Sequence, residues 1–121
     1  MNMTEQIPTI SEVKINELKS LDTSLKVLAQ LIEIFKNEAR DRVLEMQQCA
    51  ASHDYVRLAQ VTHRFKSTAY NLGANRAAQI VLKIETLIAG NSVSQQELNQ
   101  LLSVLKTECE AAAKTLNNYL P

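Results

Sequence analysis

Leu25, Leu28, Ile32, Phe35, Ala39, Val43, Met46 and Ala50 recur at spacings of three and four. That period lines one face of an α-helix with apolar side chains and predicts a long amphipathic helix over this stretch. Such a face has to be covered by other elements, so the rest of the chain is constrained to supply them. Two further stripes do so. Leu58, Val61, Phe65, Ala69 and Leu72 form one, and Leu98, Leu102, Leu105, Cys109, Ala112, Leu116 and Tyr119 form the other. A shorter helix is expected over about 75–89, and another short one from near Ser11, including Val13, Ile15 and Leu18.

The punctuation between stripes fits this reading. "SHD" at 52–54 interrupts the pattern, with Asp54 as N-cap of the helix that follows and His53 as a turn residue without a role. Gly73 and Gly90 stand where helices end, and "SQQE" at 94–97 has the form of a capping box. Residues 1–9, "MNMTEQIPT", lack helical periodicity and read as a loose lead-in. The expected fold is all-α: an antiparallel four-helix bundle with an additional short N-terminal helix, as one domain over 10–121.

Composition removes several function classes. The basic and acidic residues number thirteen each and are interspersed, so no field exists to hold a phosphate backbone or an anionic membrane surface. "KNEARDR" at 36–42 reads as a solvated face on which Glu38 and Arg42 can pair. Cys49 and Cys109 match no zinc or redox spacing and read as buried free thiols. No charged-then-apolar leader and no membrane-length apolar run is present, and a cytoplasmic location is the expectation.

One stretch asks for more than packing. In "HRFKSTAYNLGA" at 63–74, with about 100° per residue, His63 lies roughly 160° from Phe65, on the outward face. Ala59 and Ser67, one turn either side of it, are small, and Val56, Gln60 and Tyr70 share its side. A face mixing small and apolar residues around one histidine suits a partner lying flat on the helix. Lys66 can bring its ammonium alongside the imidazole and would favour an anion bound there. A neutral imidazole is nucleophilic through a ring nitrogen, so the pair makes sense as a phosphoryl acceptor. No metal site is expected, because the other histidine, His53, lies near the turn about fifteen ångströms from His63 along the chain if helical rise applies. A hydrolytic Ser–His or Cys–His site lacks a readable acidic partner and oxyanion loop.

The same residues resemble the signature of histidine-containing phosphotransfer (HPt) domains, H-x-x-K-G-S-x-x-x-x-G-A. His63 matches the phosphorylated histidine, Lys66 the lysine three residues on, and Gly73 with Ala74 the closing Gly-Ala. "KIE" at 83–85 sits where such domains often carry Leu-Glu. Ser67 departs from the usual glycine; serine is still small, its hydroxyl can bond back to the His63 carbonyl, and it is expected to be tolerated. The resemblance covers most of the chain. It implies a phosphotransfer intermediate of a multistep His–Asp phosphorelay, with His63 as nucleophile and Lys66 stabilising phosphoryl charge. The implied partners are receiver domains of response regulators and of a hybrid histidine kinase, docking on Val56, Ala59, Gln60, Ser67 and Tyr70. Mg²⁺ is expected in the receiver and no cofactor in this chain. No ATP-dependent kinase activity is expected, since no glycine-rich phosphate loop is present. The opening methionine and the lack of fused domains read as a free-standing monomeric shuttle. The alternative is an unphosphorylated bundle that docks on a receiver or histidine kinase and modulates it.

Overall fold

The computed structural model describes residues 7–21, 23–90 and 92–121. Residues 1–6 of the expected lead-in lie outside them. The described chain is all-α, with α1 at Glu12–Leu21, α2 at Lys26–Ala51, α3 at Tyr55–Asn71, α4 at Asn75–Ile88 and α5 at Gln95–Asn117.

The stripes bury as their period requires. Leu28, Ile32, Phe35, Ala39, Val43, Met46, Cys49 and Ala50 face the core from α2, and Leu58, Val61, Phe65 and Ala69 face it from α3. Phe35 and Phe65 stack across the α2–α3 seam with ring centroids 6.3 Å apart. Removing each such ring from water stabilises the bundle by about 1.5–3 kcal/mol. Helices α2 to α5 pack in a closed ring, each against the next and α5 back against α2. Leu25 is a correction to the first stripe. It stands just outside α2 as its N-cap with a left-handed φ of 65°, half-buried, while its carbonyl still accepts the first helical bond from Ala29 N.

Both expected N-caps form. The Asp54 side chain accepts from Arg57 N at the start of α3, and Ser94 accepts from Glu97 N at the start of α5. His53 does more than turn the chain. It takes a left-handed φ of 58°, and its Nδ1 donates to the Tyr55 hydroxyl at 3.0 Å. That hydroxyl donates to Gln95 Oε1 at 2.9 Å, and Gln95 Nε2 donates to the Ala50 carbonyl at 3.1 Å. The α2–α3 turn is thereby fastened to the start of α5.

The charge run at 36–42 is more than a solvated face. Arg42 lies 3.6 Å from Glu38 and 2.8 Å from Glu45, and Glu45 also holds Arg57 of α3 at 2.9 Å. The run therefore feeds an ion-pair network that crosses from α2 to α3. Cys49 and Cys109 are buried free thiols, and burial pushes the Cys109 thiol up to about 12.

At the other end of the bundle, α1 packs over the α3–α4 turn. Ile10 and Ile15 are buried there, and Ser11 N donates to the Gly73 carbonyl at 2.8 Å. Asn75 N, at the start of α4, donates to the Thr9 carbonyl, and Arg76 Nε donates to the Ile7 carbonyl at 2.6 Å. Lys19 of α1 also lies over the Tyr119 ring, 5.8 Å from its centroid. No helix among the described residues is long and apolar enough to cross a membrane.

Candidate functional site

The site is built on the hairpin of α3 and α4. These helices run antiparallel about the turn at Leu72–Ala74, so residues equally distant from that turn come level across the seam. His63 and Glu85 each stand eleven positions from Ala74 and meet in this way.

His63 projects outward with its side chain 71% exposed, and its Nδ1 lies 3.5 Å from Glu85 Oε2. Lys66, half-buried one turn further on, holds Glu85 Oε1 at 3.1 Å. The lysine is thus not laid directly against the imidazole, as the sequence suggested. It reaches across the seam to Glu85, whose carboxylate meets both side chains. A carboxylate only accepts hydrogen bonds, so the ring nitrogen facing it carries the proton. Nε2 then carries the lone pair.

The other residues expected from sequence fall into two groups. Val56, Ala59, Gln60, Ser67 and Tyr70 are all exposed and share one outward strip of α3 with His63. Val56 is 74% exposed and Tyr70 46%, so the strip presents apolar surface on both sides of the imidazole. The Ser67 hydroxyl makes no bond to the His63 carbonyl among the described residues. Its side chain stays on the open face.

Gly73 and Ala74 are buried instead, and they act on the frame of the site. Gly73 ends α3 with a left-handed φ of 68°. A Cβ on it would come within 3.0 Å of the Cβ atoms of Ser11 and Lys14. Both the turn and the close approach of α1 therefore require glycine here. Ala74 is fully buried as the N-cap of α4.

Glu85, the last residue of "KIE", is a site residue that no helical stripe marks. The signal that finds it is the equal spacing about the turn, which a hairpin converts into contact. Among the described residues no group of three or more His, Cys, Asp and Glu side chains converges as a metal site would.

The family model described as Hpt domain matches residues 30–115. That span takes in α3, α4 and every polar group of the site. No curated protein and no solved structure matches the chain.

Proposed function

The chain belongs to the Hpt domain family, whose work is phosphotransfer in His–Asp phosphorelays, and on that premise we propose that His63 is its phosphoryl acceptor. In this reading His63 takes a phosphoryl group from the aspartate of one receiver domain and passes it to the aspartate of another. The observation that carries it is the exposed imidazole whose Nδ1 faces Glu85, leaving Nε2 as the nucleophile.

The step balances without further reagents. Nε2 forms a bond to phosphorus while the bond from phosphorus to the aspartyl oxygen breaks, and that electron pair leaves with the receiver's carboxylate. The ring, still protonated at Nδ1, becomes cationic, and Glu85 lies where it offsets that charge. The incoming phosphoryl group is anionic and draws the Lys66 ammonium, which a swing of its side chain frees from Glu85. Transfer to the second receiver is the same step reversed.

The strip of Val56, Ala59, Gln60, Ser67 and Tyr70 is the docking face on this reading. Mg²⁺ belongs to the receiver's acidic pocket, this chain binds no cofactor, and it works as a cytoplasmic monomer. The test mixes the protein with a ³²P-labelled receiver domain and Mg²⁺. Acid-labile, alkali-stable label on this chain is the expected result. Absence of label from every receiver and hybrid kinase of its own genome sinks the proposal. A stable complex without label would support the unphosphorylated adaptor instead.

A further inference from the structure

The face of the bundle opposite His63 carries a second feature. His63 and Glu85 lie on the seam between the middle helices α3 and α4, while α2 and α5 close the ring on the far side. Along that far seam runs an open groove of about 390 Å³. Its floor is apolar, formed by Ala39, Val43, Cys109 and Ala113, and Leu44 stands on its wall 53% exposed. Water is in contact with apolar surface that the four helices leave uncovered.

The rim is charged with one sign in excess. Lys36, Arg40 and Lys106 line it against a single carboxylate, Glu110. Arg40 is engaged by Asp41 at 3.1 Å, an exposed pair of little energetic weight. Among the described residues Lys36 and Lys106 have no carboxylate within ion-pair distance. The groove thus joins an apolar floor to two unpaired ammonium groups, one from each wall.

We infer that this groove is a docking site for an acidic amphipathic helix of another protein, separate from the His63 face. From Lys36 to Gln47 the groove follows α2 for about 16 Å, or three turns of a helix laid alongside. Apolar side chains of the incoming helix fill the floor, and its flanking carboxylates meet Lys36 and Lys106. A second copy of this chain fits worse, because a two-fold contact would set one cationic rim against another. Nucleic acid fits worse still, since no aromatic side chain lines the groove to stack a base. Occupancy leaves His63 open, so a bound helix can tether the protein near its receivers while transfer proceeds.

The test uses a fluorescein-labelled peptide of about 16 residues, with leucines at i, i+4, i+7 and i+11 and glutamates flanking them. A control peptide carries lysine in place of each glutamate. Expected is saturable binding of the acidic peptide, with amide shifts at Ala39, Val43 and Ala113 and none at His63. Lys36→Glu with Lys106→Glu weakens binding by about tenfold, and the lysine peptide binds wild type about tenfold less tightly than the acidic one. Leu44→Asp, an exposed change that leaves helical content intact, weakens the acidic peptide by a similar factor. Equal binding of both peptides, no saturation by about 1 mM, or amide shifts at the His63 strip instead would each overturn the inference. So would dimerisation that Leu44→Asp abolishes, or displacement of the peptide by micromolar decanoate. Phosphotransfer is unchanged by all three substitutions, so loss of the groove and loss of the carrier reading are told apart.

Discussion

The inward and outward faces of α3 put opposite demands on one backbone. Leu58, Val61, Phe65 and Ala69 are at most 5% exposed and hold the helix in the bundle. Val56, Ala59, Gln60, His63, Ser67 and Tyr70 are exposed and bury nothing comparable. Stability therefore resides on one side of the helix, and the chemistry proposed for His63 on the other. Lys66 and Thr62 sit on the border: the first is half-buried and bound to Glu85, and the second is fully buried with its hydroxyl unpartnered.

Substitutions can break or sharpen that division. The widest separation is expected between His63→Gln and Phe65→Ala. His63→Gln abolishes ³²P labelling with no change in thermal midpoint. Phe65→Ala costs about 3–5 kcal/mol in urea unfolding, yet whatever remains folded still accepts label. A thermal midpoint that drops with His63→Gln would show that the outward face also carries stability.

Gly73→Ala tests the frame next. Forcing a side chain into the left-handed turn and against α1 costs about 1–3 kcal/mol. Hydrogen exchange at Ser11 N, which is bonded to the Gly73 carbonyl, should speed up with it. Unchanged protection there would mean that the glycine serves the turn alone.

Glu85→Leu is expected to slow labelling by about tenfold, or about 1.4 kcal/mol in the barrier, with little effect on unfolding. Lys66→Ala slows transfer or shortens the phosphohistidine lifetime by a smaller factor. Kinetics untouched by either change would remove that residue from the mechanism. The smallest effect belongs to Thr62→Val. Removing a buried hydroxyl without a partner leaves stability unchanged or raises it by up to about 1 kcal/mol, and labelling is unaffected.

Much of this was legible in the sequence because helical period, caps and glycine turns are local signals. The stripes of α2, α3 and α5, the caps at Asp54 and Ser94 and the outward angle of His63 all follow from residues within a few turns of one another. What was missed lies between elements. The Lys66–Glu85 pair and the Glu45 bridge to Arg57 depend on how helices meet, which no single stripe records. The second duty of Gly73 was hidden for the same reason, since a sequence shows a C-cap glycine without the α1 side chains pressed against it.

The ring of helices also has a temporal meaning. His63 and Glu85 are 22 residues apart, whereas the Gln95–Ala50 bond that ties α5 to α2 spans 45. Doubling a loop adds only about 0.6 kcal/mol of closure entropy, but the α2–α5 seam also waits for three helices to be in place. The hairpin that carries the histidine can assemble from one contiguous segment, while the far seam is sealed by the last-made long-range contacts. The pairing of His63 with Glu85 thus belongs to one contiguous hairpin, and the opposite groove to the seam that closes the longer loop.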